Sequence, residues 1–112
     1  MSTVNGLSVS LNKVSFGEVW KIKVDQGFRY ALVVSPNSIN QQLDQIIVVA
    51  ISARKKSWPT RIGFKFRDRL RQICLEEISS VNKVQFENKI EELSLPELAR
   101  VKIGLKQILC EF

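Results

Sequence analysis

Residues 16–35 read FGEVWKIKVDQGFRYALVVS, and this stretch decides the fold class. Apolar side chains occupy one face of its first half in an extended chain, with lysines between them: Phe16, Trp20, Ile22 and Val24. This alternation predicts a half-buried strand over residues 16–24. Residues 25–27, Asp-Gln-Gly, form a short turn, so the next strand, residues 29–35, is expected to pair with the first as an antiparallel hairpin.

Two continuous apolar runs rich in β-branched residues, Tyr30–Val34 and Ile46–Ile51, predict strands at the centre of a closed or covered sheet. Residues 36–44 between them are expected to form a loop or a single helical turn. A polar loop over residues 53–60 precedes a third alternating strand, Arg61–Phe66.

Downstream of these strands, residues 72–75 and 78–81 are each compatible with a short strand, and the chain then becomes acidic. Ser94 and Glu97 have the spacing of a capping box, and Pro96 is tolerated in the first turn. A stripe at helical spacing follows: Leu98, Val101, Leu105, Ile108 and Leu109. The sequence therefore predicts a mainly β (α+β) domain, a small barrel of antiparallel strands with a C-terminal helix.

The chain has 112 residues, which is the size of one domain. Residues 1–15 are expected to be a poorly ordered lead-in, and residues 16–112 the barrel domain. The longest apolar run, Ile46–Ile51, is far shorter than the ~20 residues that span a membrane. The N-terminus lacks the pattern of a secretion signal, and Cys74 and Cys110 are expected to be buried thiols. These features together favour a cytoplasmic location.

Positive charge is concentrated in one segment. The chain carries 17 Lys and Arg against 11 Asp and Glu, a net charge of +6. Residues 54–71 contain eight Lys and Arg against Asp68 alone, a net charge of +7, so this segment accounts for the whole excess. Such a field attracts polyanions. The alternative is a solvated edge strand protected by its charges against aggregation.

Many kinds of active site are absent from the sequence. There is no His, so Ser–His and Cys–His nucleophile pairs are excluded, and no Gly-rich phosphate loop follows a strand. No zinc site can be assembled from two Cys alone, and no metal or cofactor is expected. The remaining Arg, Glu and hydroxyl groups suffice to cleave RNA, because RNA supplies its own nucleophile, the 2′-OH.

The order of segments resembles the MazF/PemK-like toxins of bacterial toxin–antitoxin systems. Five pieces in one order carry the resemblance: Gly17–Trp20, Arg29 with Ala31–Pro36 and Asn40, Val48–Ser52, ICLEEISSVNK at residues 73–83, and the C-terminal helix. The resemblance implies an SH3-like barrel that forms a homodimer, cleaves single-stranded mRNA and is inhibited by an antitoxin segment. It also implies that Arg29 is the cation at the scissile phosphate and Ser52 its hydroxyl partner. An Arg fork suits this role because it binds a phosphate through two hydrogen bonds and stays charged.

The chain departs from the family pattern near this site. Only four residues separate Val24 from Arg29, where family members have a longer polar loop, and Glu77 stands in place of a frequent Gln. Glu77 or its neighbour Glu76 is therefore the candidate base for the 2′-OH. The alternative is a catalytically degenerate module that binds RNA or a partner. A second alternative is a topoisomerase-poisoning toxin, for which Phe112 is the only sequence indication.

The candidate RNA-binding residues lie in and beside the polar loop: Arg54, Lys55, Lys56, Trp58 and Arg61. Trp58 among cations is typical of a platform on which a base stacks. The alternative is a Trp packed under its own loop beside Pro59. The sequence thus favours a metal-independent endoribonuclease whose catalytic residues are Arg29, Ser52 and Glu77.

Overall fold

A computed structural model describes residues 13–110 of the chain. Its elements in chain order are β1 (Glu18–Val24), β2 (Gly27–Val33), α1 (Asn37–Asn40), β3 (Gln45–Ser52), β4 (Arg61–Phe66), β5 (Arg69–Asn82), a 3₁₀ turn (Lys83–Gln85), β6 (Phe86–Glu92) and α2 (Leu95–Leu109). The six strands form one antiparallel sheet in the order β4-β5-β3-β2-β1-β6. The sheet curls into a half-barrel with the helix α2 beside it, which confirms the mainly β class with a C-terminal helix.

The β1–β2 hairpin is confirmed. Val24 pairs with Gly27, so the turn consists of Asp25 and Gln26 alone. Gly27 has a φ of +99°, a conformation that side chains disfavour, and this explains why glycine closes so tight a turn. Because the turn is shorter than expected, β2 begins two residues before the predicted start at Arg29.

Both faces of the sheet are packed at its centre. Consecutive residues of β2, Ala31, Leu32 and Val33, are all buried, as the apolar run predicted. Leu32 belongs to the cluster that faces α2 and β4, and Ala31 and Val33 belong to the cluster around Trp20 and Phe86. The apolar run of β3 was also predicted to be buried on both faces, and this is wrong at Ile47, which is 39% exposed.

One long strand replaces the two short strands predicted at residues 72–75 and 78–81. β5 runs from Arg69 to Asn82 and pairs with β3 at residues 72–74 and 78–82. Val49 of β3 pairs with Ile78, and the next residue, Ala50, pairs with Cys74. Residues 75–77 therefore have no partner in β3 and form a bulge, which is called the β5 bulge below. The bulge places polar Glu76 and Glu77 in mid-strand, and this is why the alternation looked broken in sequence.

β6 was not predicted from the sequence. It pairs with β1 and carries mostly exposed polar side chains, with Phe86 as its buried residue. Lys89 of β6 forms ion pairs with Glu92 and with the carboxylate of Glu18, 3.2 Å away, and these contacts raise the pKa of Lys89. An edge strand with one apolar anchor gives little alternation, so its composition resembled that of a loop.

The helix α2 begins with the predicted capping box, in which Ser94 and Glu97 each accept a hydrogen bond from the other's backbone N–H. Val101 is fully buried, and Leu98, Leu105 and Ile108 pack against the same cluster. The predicted stripe is wrong at its end, because Leu109 in the last turn is 55% exposed. At Gly104 the helix backbone touches Leu75 of the β5 bulge so closely that a Cβ would overlap the Leu75 side chain.

Three predictions concern the termini and the cysteines. The predicted lead-in falls mostly on residues 1–12, which lie outside the described residues, as does Phe112. Val14 is buried against the Trp20 cluster, so packing begins before residue 16. Cys74 is buried as expected, but Cys110 is exposed. Within residues 13–110, no helix is long and apolar enough to cross a membrane.

Candidate active site

The site is a groove between the diverging ends of β2 and β3. The two strands pair only where Ala31–Val33 faces Val48–Ala50. Beyond that point the start of β2 and the end of β3 separate, and a groove of about 350 Å³ opens between them. Phe28, Arg29 and Tyr30 line one side, Ser52 and Arg54 line the other, and Glu77 of the β5 bulge reaches in from the neighbouring strand.

Arg29 lies on the β2 side of this groove and is exposed. Within residues 13–110 no carboxylate lies within ion-pair distance of its guanidinium, so its donors face solvent. The strand holds Arg29 through pairing with Ile22 in the β1–β2 hairpin. The cation predicted for the scissile phosphate is therefore available to a ligand in the groove.

Ser52 is the last residue of β3, across the groove from β2. Its Oγ accepts a hydrogen bond from the Arg54 backbone N–H at 3.0 Å. This bond fixes the hydroxyl oxygen at the point where the strand becomes the polar loop. The hydroxyl proton is still free to be donated.

The β5 bulge separates the two candidate acids. Glu76 accepts hydrogen bonds from Thr60 Oγ1 at 2.7 Å and from the Arg61 guanidinium at 2.7 Å. Partial burial alone would raise its pKa, but the hydrogen bonds from Arg61 and Thr60 outweigh this, and the pKa of Glu76 is lowered. Glu77 lines the groove, and its carboxylate lies 3.4 Å from the same guanidinium, a longer contact than the one Glu76 makes. Glu77 is thus the acid better placed to accept a proton.

The polar loop presents exposed Arg54, Lys55 and Lys56. Trp58 is 49% exposed, so it is not packed away under its loop. The Arg61 guanidinium carbon lies 4.7 Å from the centroid of the indole ring, and the Lys56 ammonium lies 5.4 Å from it.

Arg61 differs from the other predicted RNA-binding residues, because its side chain is only 5% exposed. The hydrogen bond to Glu76 is the main cause of a raised pKa at Arg61, so this residue stays charged within its ion pairs. Its charge is therefore balanced by Glu76 and Glu77 rather than presented to solvent.

The block of positive charge over residues 54–71 does not form one surface. Arg69 and Arg71 pair with Phe66 and Phe64, whose side chains are buried in the core. Directly opposite residues of antiparallel strands share a face, so these two arginines lie on the other side of the hairpin from Arg61. The Nε of Arg71 is itself buried. The charge near the groove therefore comes mainly from Arg29 and the loop.

The structure also brings together a set of metal-binding atom types that the sequence did not suggest. The Cys74 thiol and the carboxylates of Glu76 and Glu77 lie within 4.8 Å of one another. Burial raises the pKa of the Cys74 thiol, which favours its protonated form, a poor metal ligand. Arg61 already supplies a cation to both carboxylates, and the cluster is best described as an ion-pair network.

Phe28 is a groove residue that the sequence analysis missed. It is 43% exposed, and the Lys21 ammonium lies 4.4 Å from its ring centroid. An aromatic residue directly before Arg29, beside a polar turn where burial is not expected, was the available signal. A second, mostly apolar depression of about 260 Å³ shares Arg29, Tyr30, Ala50 and Glu77 with the groove, so the two form one continuous surface.

The other segments that carried the family resemblance support the fold. The buried Glu18 carboxylate accepts hydrogen bonds from the Ser15 backbone N–H at 2.8 Å and from the Trp20 indole at 2.9 Å. Asn40 donates to the Ser35 carbonyl at 2.8 Å and ties the single helical turn to the end of β2. These contacts anchor the paired ends of the strands from which the groove opens.

Comparison with solved structures finds the same fold. An endoribonuclease bound to its cognate antitoxin from a mycobacterial species superposes with a TM-score of 0.79 at 18% identity, over 86% of this chain and 94% of that chain. The MazE–MazF complex of Deinococcus radiodurans gives 0.77 at 20% identity, over 88% and 97%. The Mycobacterium tuberculosis toxin MazF-mt6 gives 0.73 at 10% identity, over 80% and 93%.

Sequence comparison is more specific. No curated protein matches the chain significantly. A family model described as the PemK-like, MazF-like toxin of type II toxin–antitoxin systems matches residues 15–109, which include the six strands described above and the helix α2. The protein therefore belongs to the PemK-like, MazF-like family of toxins.

Proposed function

We propose that this toxin is an endoribonuclease that cleaves single-stranded mRNA through attack by the RNA's own 2′-OH. The observation that carries the proposal is that Arg29, Ser52 and Glu77 line one groove. These residues lie far apart in sequence and on three strands. Family membership favours this function over a degenerate binding module or a topoisomerase poison.

Each of the three residues has a role that suits its placement. Glu77 accepts the 2′-OH proton, and the oxygen then attacks the adjacent phosphorus and displaces the 5′-oxygen of the next nucleotide, which takes up a proton from water. Arg29 binds the non-bridging oxygens and stabilises the charge that develops on the phosphorane. The Ser52 hydroxyl donates to one of the same oxygens. The products are a 2′,3′-cyclic phosphate and a 5′-hydroxyl, and no step requires a metal ion.

The substrate strand is held by Arg54, Lys55, Lys56 and Trp58 at the mouth of the groove. Phosphate contacts release counterions, so log affinity should fall with log salt by ~0.7 per contact on a single strand. Fluorescence anisotropy with a 2′-O-methylated oligonucleotide at several salt concentrations measures this slope. A flat salt dependence would argue against RNA as the ligand.

The toxin is further proposed to act in the cytoplasm as a homodimer and to be inhibited by an antitoxin segment. One of the structurally similar proteins is described as an endoribonuclease in complex with its cognate antitoxin, and another as MazE–MazF, which supports such a partner. The apolar depression beside Arg29 would accept apolar side chains of such a segment. Equilibrium sedimentation tests the dimer, and a 12.8 kDa species at tens of micromolar would contradict it.

The decisive experiment is cleavage of a defined single-stranded RNA with mapped ends. We expect a 5′-hydroxyl and a 2′,3′-cyclic or 3′-phosphate, with unchanged cleavage in the presence of a chelator. A substrate carrying a 2′-O-methyl group at the cut site should be resistant, because the nucleophile is blocked. Cleavage of the protected substrate, or loss of cleavage with the chelator, would refute the mechanism. If diverse RNAs bind without being cut, the protein is a binding module.

A further inference from the structure

Trp58 combines two properties that rarely occur together in a surface loop. Its ring is half exposed, yet it is held in place by a guanidinium 4.7 Å from its centroid. A cation over an aromatic face stabilises the ring in one orientation. The ring therefore presents a fixed apolar surface to solvent at a position where neither core packing nor an interface within the described chain explains it.

Arg61, which supports this ring, is itself immobilised. Its Nε donates to Glu76 at 2.7 Å, and its Nη2 lies 2.7 Å from Glu76 and 3.4 Å from Glu77. Its Nη1 donates to the Gln72 side chain and to the Arg54 carbonyl, each at 3.3 Å. The guanidinium is planar, and each of its three nitrogens contacts an oxygen, so only one orientation of the group keeps all of these contacts.

The loop is fixed from a second side. The Gln72 side chain accepts from the Lys56 backbone N–H at 2.9 Å and donates to the Lys56 carbonyl at 3.0 Å. The Arg61 backbone N–H donates to the Trp58 carbonyl at 3.1 Å. Binding to a preorganised platform costs less ordering entropy than binding to a disordered loop.

The platform lies beside the groove, and Arg61 connects the two. Arg54 and Glu77 both line the groove, and the Arg61 guanidinium contacts the Arg54 carbonyl and the Glu77 carboxylate. The same guanidinium contacts the Trp58 ring. The Arg61 side chain alone thus separates the indole from the groove. A nucleotide next to the one in the groove can reach across this side chain to the indole.

From this geometry we infer that Trp58 is a stacking subsite for one base flanking the scissile phosphate, and that Arg61 positions both Trp58 and Glu77. This inference rests on the proposed function for the location of the cut. Arg61 is accordingly not a phosphate ligand, although its sequence position suggested one. Because every base has a π-face, the subsite accepts any base but requires that one be present. The Lys56 ammonium near the ring is on an exposed side chain and can move to a phosphate when a base stacks.

Tryptophan fluorescence tests the subsite without any cleavage. The chain has two Trp, and Trp20 is 6% exposed in the core, so a stacked base should quench Trp58 alone. A non-cleavable 2′-O-methylated oligonucleotide should therefore quench the wild type and a Trp20→Phe variant by the same absolute amount. RNA binding seen by anisotropy with no quenching in either protein would overturn the inference, whether or not the protein cleaves RNA.

An abasic scan locates the subsite in a cleaved RNA. Removing the base at one position beside the cut should raise KM for the wild type about five- to 100-fold, as expected for one lost stack. On intact RNA, Trp58→Ala should raise KM to the same extent. On the abasic RNA, the KM of Trp58→Ala should be no higher than its KM on intact RNA. Trp58→Phe should restore most of the affinity, and Val84→Ala, at an exposed position away from the groove, should match the wild type.

The positioning role of Arg61 has its own signature. Arg61→Gln should raise KM, because Trp58 is released, and should also lower kcat, because Glu77 is released, whereas Trp58→Ala should affect KM alone. If removal of the base raised KM equally in the wild type and in Trp58→Ala, the stacking subsite would be refuted. Cleavage of RNA by the protein would still be established. A wild type that cuts no RNA would instead refute the proposed function, and the quenching experiment would still decide on stacking.

Discussion

The same two strands, β2 and β3, differ sharply between their paired and unpaired ends. Where Ala31–Val33 faces Val48–Ala50, the ladder is complete and nearly every side chain is buried. A few residues away, at Arg29 and Ser52, the strands have separated and polar groups line an open groove. The paired end contributes buried contacts, and the open end carries the residues proposed to act on RNA.

In this small domain, strand pairing holds polar groups in place without burying them. Arg29 belongs to a strand whose other edge still pairs with β1, and Ser52 is held by its bond to Arg54 N–H. Rigid strands position side chains more closely than a loop would. Substitutions at the open end should therefore change activity without changing stability, and those at the paired end should do the reverse.

The largest effect is expected at Arg29. Arg29→Ala should lower the cleavage rate by about 10³–10⁵, the range found when an arginine that stabilises a phosphoryl-transfer transition state is removed. RNA affinity should fall only modestly, because the loop cations remain. Single-turnover kinetics and anisotropy measure the two effects, with Arg29→Lys as the variant that keeps the charge but loses the fork. If Arg29→Ala also lowered the midpoint of unfolding, activity and stability would not be separated between the two ends of the strands.

Glu77→Gln should slow cleavage by about 10²–10⁴, the contribution of a general base, with RNA binding unchanged. Glu76→Gln is the matched control, because Glu76 is the neighbouring acid but is occupied by Thr60 and Arg61. Its effect on kcat should be much smaller. If Glu76→Gln lowered kcat more than Glu77→Gln did, Glu76 rather than Glu77 would be assigned as the base.

At the paired end, Leu32→Ala should reduce the free energy of unfolding by about 2–5 kcal/mol, because Leu32 is fully buried in the main cluster. Urea denaturation measures this loss. Well below the unfolding midpoint the kcat per folded molecule should equal that of the wild type. A fall in kcat at full folding would show that the paired end also shapes the groove.

Gly104→Ala connects the two ends, because the helix backbone at this position touches Leu75 of the β5 bulge. Alanine is favoured over glycine inside a helix by about 1 kcal/mol, yet here its Cβ would press on the fully buried Leu75 side chain. We expect a net destabilisation of about 1–3 kcal/mol, typical of overpacking, and a reduced kcat from displacement of Glu77. Gly63→Ala, where no atom lies within 4 Å of the added Cβ, is the control and should be close to neutral.

The smallest effect concerns pH. The folded-state pKa of Glu76 is lowered, so its contribution to stability is present above the ordinary carboxyl range and is lost as pH falls through the lowered value. Since the Glu76 side chain is 26% exposed, solvent screening limits this contribution to at most about 1 kcal/mol. Unfolding curves of the wild type and Glu76→Gln should differ at pH 7 and converge only as pH falls through the lowered pKa of Glu76. A difference that persists in acid would assign the effect to packing instead.

The sequence predicted those parts of the fold that depend on local patterns. The β1–β2 hairpin followed from alternation and a turn with glycine, and the capping box at Ser94 and Glu97 from residue spacing. β6 was missed because Phe86 is its one buried residue. The β5 bulge was missed because register depends on the partner strand, which a single sequence does not show.

For the site, the family resemblance and the structure contribute different information. The resemblance named Arg29 and Ser52, and the structure places both beside Glu77 in one groove. Charge counting was a poor guide at Arg61, because its acidic partners Glu76 and Glu77 lie outside the segment that was counted. An ion pair between residues fifteen or more positions apart leaves no local pattern.

The β5 bulge also divides the longest strand of the sheet into two units that can open separately. Residues 78–82 are secured by β3, residues 72–74 by both β3 and β4, and residues 69–71 by β4, whereas Glu76 and Glu77 are paired with neither. Backbone amides at the bulge should therefore exchange with deuterium sooner than those on either side. Local opening there would move Glu77 and Arg61 together while Val49 and Ile78 keep their places in the core ladder. The end of the molecule that carries the groove can thus open more often than the sheet that supports it.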